Sequence, residues 1–218
     1  MFLILIAVAL FAALSYAVIQ SSRTGGGDAT REKARLDAAE ILNHATAVQT
    51  GVGRLLIRGC QDVRLNFANG NDGGIHINPT APTDKRCDVF DPAGAGVSNK
   101  APNRKWSSDH NFYYTSSSSV TDMGSTCTDT TCADLVMELR GVSPALCEQL
   151  NTLNNYIVPV PSLPTDTQAG CPFTGTYDCA GNGTAQIVFA TAPLRGKNSV
   201  CYNDTVHGLT FVHVIYAR

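Results

Sequence analysis

The chain has 218 residues, 44% of them hydrophobic and only 16% charged, with a formal net charge of −2. That balance excludes the basic face a nucleic-acid binder needs to displace counterions from phosphates. High apolar content with little net charge also excludes a disordered chain, and eight cysteines point to an oxidising compartment.

The first element is apolar. Met1 to Ile19 has only Ser15 and Tyr16 as polar-tipped side chains, and the first charge is Arg23. A helix over the uncharged residues would be roughly 33 Å long, about one bilayer core, and a helix satisfies its own backbone in a dry environment. Such a segment can be a secretory leader cleaved near Ser15-Tyr16-Ala17, although no basic residue precedes the apolar run. It can also be a plain anchor for an exported domain. A third reading rests on the residues beyond Arg23.

Gly25, Gly26 and Gly27 come next, each weakening a helix by about 1 kcal/mol relative to alanine, so the helix is expected to break there. It restarts after Asp28 or Thr30. Ala34, Ala38, Ile41, Leu42, Ala45, Val48, Val52, Leu55 and Leu56 recur at steps of three and four, one apolar stripe. Arg31, Lys33, Arg35, Asp37, Glu40 and Asn43 lie mostly off it, His44 is expected on the exposed flank, and Cys60 closes the element.

A greasy uncharged helix, a glycine break and an amphipathic continuation resemble the N-terminus of type IV pilins and pseudopilins. In that family one long helix spans the inner membrane with its first half, which later packs among its neighbours in a filament core, while its second half lies on a C-terminal sheet. A start at Met1-Phe2 is similar to the product of prepilin peptidase, with N-methylation of the first residue. The family usually carries Glu as its fifth mature residue; here that position is Leu5, or Ile6 counting from Phe2. The resemblance implies an α+β fold: a long N-terminal helix (apolar half, Gly-rich break, amphipathic half) packed on a disulfide-rich antiparallel β-sheet head. Its divisions would be 1–27, a filament-core or transmembrane helix with the break; 28–59, an amphipathic helix on the head; and 60–218, the head itself. Met1, Phe2, Ala7, Ala9, Ala12, Ala13, Ser15 and Ala17 would form the packing surface, since tight helix contacts favour small side chains. The implied partners are further copies in a helical filament, an inner-membrane pool, the pilus assembly machinery and the peptidase. The implied location is the outside of a bacterial cell, and the role is structural, not enzymatic.

From Cys60 the chain becomes loop-rich. Asn69 to Gly74, Asp91 to Gly96 and Thr115 to Ser119 read as loops. Asn111 to Tyr114, Asp134 to Leu139, Ala185 to Thr191 and Leu209 to Tyr216 read as strands. Ser143-Pro144 starts a helix with Leu146, Leu150 and Leu153 on one side. The run from Leu139 to Leu150 also resembles a segment of some type IVb-like pilins, in which a short Cys-bearing helix follows a strand. Pro159, Pro161 and Pro164 stiffen the chain beyond it.

The cysteines are Cys60, Cys87, Cys127, Cys132, Cys147, Cys171, Cys179 and Cys201. None forms a close pair backed by a second pair or by histidines, so four disulfides are preferred to a metal site. Eight cysteines allow 105 pairings. The local pairs Cys127–Cys132 and Cys171–Cys179 are favoured, with Cys60, Cys87, Cys147 and Cys201 stapling helix and strands.

Catalytic patterns are sparse. There is no G-x-S-x-G elbow, and His44, His76, His110, His207 and His213 show no H-x-x-H spacing, so structural or surface roles are expected for them. Asn69 to Gly74 carries oxygen ligands but lacks EF-hand order. It reads as a turn, with calcium the lesser alternative and no other cofactor expected. Asn182-Gly-Thr184 and Asn203-Asp-Thr205 match a glycosylation acceptor, Ser116 to Ser119 could carry O-linked sugars, and Trp106 suits core or contact equally. The competing reading is a secreted or membrane-anchored, disulfide-rich binding module or enzyme whose N-terminus is a signal peptide or anchor.

Overall fold

The computed structural model describes residues 2–70, 73–120, 123–124, 133–166, 171–177, 185–187 and 196–218. Side chains within those ranges are described at 15–16 and from 29 onward, except at 117–119 and 185–187.

Helix α1 spans Phe2–Ile57, 56 residues without interruption, about 84 Å at 1.5 Å per residue. The expected break at Gly25, Gly26 and Gly27 is therefore corrected. Glycine raises the free energy of a helix but keeps its N–H donor, unlike proline, and cooperative propagation from both flanks carries the ladder through. The stripe from Ala34 to Leu55 is buried, with Ala38, Ile41, Ala45, Val48 and Leu55 at 0% exposure. At the far end Gly59 takes φ +89°. There Cys60 N–H donates to Leu55 O and Gly59 N–H to Leu56 O, both 3.0 Å, a Schellman cap that only a residue tolerating positive φ closes without strain.

Six strands form one sheet: β1 (Phe112–Val120), β2 (Asp134–Leu139), β3 (Thr165–Asp166), β4 (Ala185–Ile187), β5 (Ser199–Asp204) and β6 (Gly208–Tyr216), in the order β3-β5-β6-β2-β1-β4. The expectation of an antiparallel sheet is corrected to a mixed one. The central strands β5, β6, β2 and β1 are antiparallel, but β3 pairs parallel with β5 and β4 parallel with β1. Each parallel partner returns after a connection far longer than a hairpin, as parallel pairing requires. Alternation of apolar residues marks a strand but carries no information on the direction of its neighbour. Thr115 to Ser119, expected as loop, continue β1, because Ser116 donates its hydroxyl to Thr176 O at 2.6 Å and the Thr115 hydroxyl to Glu138. Burial of Ser116 at 3% exposure removes it as a sugar acceptor; the side chains of 117–119 lie outside the described residues.

Helix α2 (Pro144–Leu153) starts with Ser143 in extended conformation and Pro144 in the first turn, where the missing N–H costs nothing. The amide of Asn151 accepts from Cys201 N–H and donates to Cys201 O, both at 2.8 Å. One side chain thus docks α2 on the backbone of β5, beside the disulfide Cys147–Cys201. The second disulfide among the described residues, Cys60–Cys87, ties the end of α1 to the following loop. Cys171 is also disulfide-bonded; Cys127, Cys132 and Cys179, on which the favoured pairs Cys127–Cys132 and Cys171–Cys179 depend, lie outside the described residues.

Register separates the faces of the sheet, since directly paired residues and residues two apart share a side. Phe112, Leu139 and Phe211 align across β1, β2 and β6, as do Met137, His213 and Ser199 across β2, β6 and β5. This face meets the helices: Phe112 stacks on His44 of α1, and Cys201, paired with Phe211, bonds to α2. Tyr113, Thr115, Val136, Glu138, Val212, Val214, Val200 and Tyr202 take the opposite face.

Candidate functional site

The assembly surface expected on α1 divides at residue 28. Phe2, Ala7, Ala9, Ala12, Ala13 and Ala17 belong to the helix, but their side chains, and Met1 as a whole, lie outside the described residues. The membrane-span expectation for Met1 to Ile19 falls on the same residues. Among the described residues no helix is long and apolar enough to cross a membrane. Tyr16 is 66% exposed.

The second half of α1 is moored by three kinds of contact. Its stripe buries against the sheet and α2. Gln49 donates its amide to Val214 O at 3.1 Å. Gly51 lets the loop at Val97 approach so closely that a Cβ there would sit 2.5 Å from a Val97 methyl. His44, expected on the exposed flank, is 6% exposed and stacks on Phe112 with ring centroids 4.7 Å apart. The stripe is wider than apolar residue types alone indicate, because an imidazole ring buries as a flat, mostly carbon surface. Burial, and secondarily Lys100, push the His44 pKa down to about 4. Lys100 itself pairs with Glu40 at 3.1 Å.

The opposite face of the sheet holds a charge cluster that residue patterns did not single out. Glu138 is fully buried, and Arg140 is 7% exposed. Arg140 donates from Nε and Nη2 to Glu138 Oε2 at 3.1 and 2.9 Å, and the hydroxyl of Thr115 donates to Oε1. The guanidinium lies 4.1 Å from the Tyr113 ring centroid, and Ser107 donates its hydroxyl to Arg140 O. Burial raises the Glu138 pKa, while Arg140 and Thr115 pull it back. Asp204, also buried, accepts from the backbone of Val206 and His207 at 2.8 and 2.7 Å, and its Oδ1 lies 3.0 Å from His207 Nδ1. The available signal was charge two residues apart, Glu138 and Arg140, after the apolar run Leu135-Val136-Met137. A same-face spacing of two is what an internal strand pair needs.

Of the remaining histidines, His76 and His213 are engaged, whereas His110 is exposed. His76 is fully buried and its Nε2 accepts from Tyr114 N–H at 3.0 Å. His213 Nδ1 lies 2.6 Å from Ser199 Oγ, both residues buried. A serine nucleophile needs a base oriented by an acid and a space for substrate. Among the described residues His213 Nε2 has no hydrogen-bond partner, so no acid orients the ring. No group of three or more His, Cys, Asp or Glu among the described residues is placed to hold a metal ion. The Asn69 to Gly74 turn includes 71–72, outside the described residues, as does Asn182-Gly-Thr184. Trp106 is buried at 5% exposure. An open groove of about 420 Å³ runs beside α1, lined by Leu36, Val97 and the polar Glu40, Asn43, Ser98 and Lys100.

In comparisons with known proteins, no family model matches the chain, and no curated protein and no solved structure matches it.

Proposed function

We propose that this chain is a non-catalytic structural subunit of an extracellular filament of the type IV pilus kind, assembling through the N-terminal part of α1. The observation that carries the reading is a single 56-residue helix whose leading third is uncharged in sequence and whose trailing half is moored to a disulfide-stapled head. A segment of that hydropathy needs lipid or neighbouring apolar helices around it. An oligomer of like helices supplies the second, and a membrane pool the first. Ala7, Ala9, Ala12, Ala13, Ser15 and Ala17 admit close helix approach. The partners are further copies of the chain, an assembly machinery and a prepilin peptidase.

Two measurements test this. Mass spectrometry of protein sheared from cells is expected to find a start at Met1 or Phe2 with one extra methyl on the amine. A start at Val18 instead identifies a cleaved leader and returns the chain to the class of secreted modules. Ala9→Asp or Ala13→Asp, each placing a group that costs about 2.5–3.5 kcal/mol at the centre of a membrane helix, is expected to abolish filaments while the head keeps its disulfides. Filaments of normal yield would sink the proposal.

A further inference from the structure

Two histidines lie where α1 meets the sheet: His44 stacks on Phe112, and His213 precedes Val214, whose carbonyl accepts from Gln49 of α1. His44 reaches in from the helix and His213 from β6, on the face that carries Phe112, Phe211 and Cys201. They are 6% and 3% exposed, and Nε2 of each is buried with no hydrogen-bond partner among the described residues. A protonated imidazole carries two N–H donors and a charge; among the described residues Nε2 of neither ring has an acceptor, and only the Ser199 hydroxyl stands against His213 Nδ1. Around His44 the helix contributes Glu40, already paired with Lys100; the loop contributes Lys100, which repels a second cation; β1 contributes the Phe112 ring. Around His213 the groups are the Ser199 hydroxyl on β5, Met137 on β2 and the Gln49 amide at the neighbouring Val214 carbonyl, all uncharged. The only carboxylate on β2 next to Met137 is Glu138, which faces the other side and is held by Arg140.

We propose that His44 and His213 form an acid-sensitive clasp, so that acidification releases α1 from the sheet while the sheet and α2 stay joined. The covalent links permit that motion. Cys147–Cys201 holds α2 to β5 independently of α1, and Cys60–Cys87 holds α1 only beyond its C-terminal end, next to the Gly59 turn.

The sign follows from burial, which lowers both pKa values to about 4 from the ordinary 6.5. Docking is fully favoured above about 6.5, where the released rings are neutral too. As pH falls from there to about 4, the released form takes up protons that the docked form refuses. Each histidine then raises the opening constant about tenfold per pH unit, roughly two to three orders of magnitude for each ring and roughly four to five for the two together.

The test uses the full oxidised chain in detergent micelles, with amide hydrogen exchange corrected for its intrinsic pH dependence. Protection over Ala34 to Ile57 is expected to fall between about pH 6.5 and about pH 4, while β2, β5, β6 and α2 stay protected. His44→Gln and His213→Gln should each remove about one tenfold-per-unit step, and the double variant should remove the dependence. An unchanged pH slope in the double variant overturns the clasp, and so does simultaneous opening of α2 and the sheet. Should a variant not fold, the wild-type ring signals decide by NMR. Both imidazoles are expected to stay neutral in the docked form, and either one titrating near its ordinary value overturns the proposal.

Discussion

Glu138 and Arg140 show what a single strand position can demand. Desolvating a carboxylate costs several kcal/mol, and the structure offsets it with two guanidinium bonds, a threonine hydroxyl and an aromatic ring under the cation. Removing one partner leaves the other charge buried and uncompensated. Arg140→Met is expected to destabilise the head by about 3–5 kcal/mol, whereas Glu138→Leu combined with Arg140→Met should recover most of that loss. Urea unfolding of both variants checks the pair; equal losses would mean that packing, not charge, sets the cost. The same logic places Asp134, whose carboxylate accepts from Val120 N–H at 2.7 Å and Arg218 N–H at 3.0 Å, at the end of β2. Burial there outweighs both bonds and raises its pKa.

At the scale of elements, stability divides between packed stripes and covalent closure. Helix α1 joins the head through an apolar face of small and medium side chains, and α2 through a disulfide and the Asn151 amide. The two disulfides with both halves among the described residues close loops with separations of 54 residues for Cys147–Cys201 and 27 for Cys60–Cys87. Restricting the unfolded chain over those lengths stabilises by about 4 and about 3.5 kcal/mol. Replacing both cysteines of either pair with serine is expected to lower the thermal midpoint, with the larger drop for Cys147 and Cys201. Calorimetry on the two double variants checks the order; a larger drop for Cys60 and Cys87 would show that the α1 terminus, not loop length, decides it.

Across the whole molecule, buried ionisable groups confine stability on both sides of neutrality. On the alkaline side Tyr177 and Tyr202 act: burial is the main cause raising both phenols above their ordinary value, and for Tyr202 the carboxylates of Glu138, Asp204 and Asp166 add to it. A group whose folded pKa is raised contributes stability present below its unfolded value and lost as pH climbs past it. Stability is therefore expected to decline above about pH 10, with phenolate absorbance appearing together with unfolding. Phenolate formation before any loss of structure would contradict the burial of these rings.

Local chemistry alone determined a good part of this molecule. The apolar stripe of α1, the proline that starts α2, and the span Asp134 to Leu139 depend on neighbours within a few residues, so local patterns expose them. Continuity through Gly25 to Gly27 is not legible in the same way, because a per-residue penalty says nothing of how strongly the flanks propagate. Strand direction, the conversion of Thr115 to Ser119 from loop to strand, the burial of His44 and the Glu138–Arg140 pair were decided only by tertiary structure. In the last three, a polar or aromatic group is stabilised by a partner far away in the chain: Thr176 for Ser116, Phe112 for His44, Thr115 and Tyr113 for the ion pair. A sequence lists the groups that need partners, and only the folded chain brings those partners within reach.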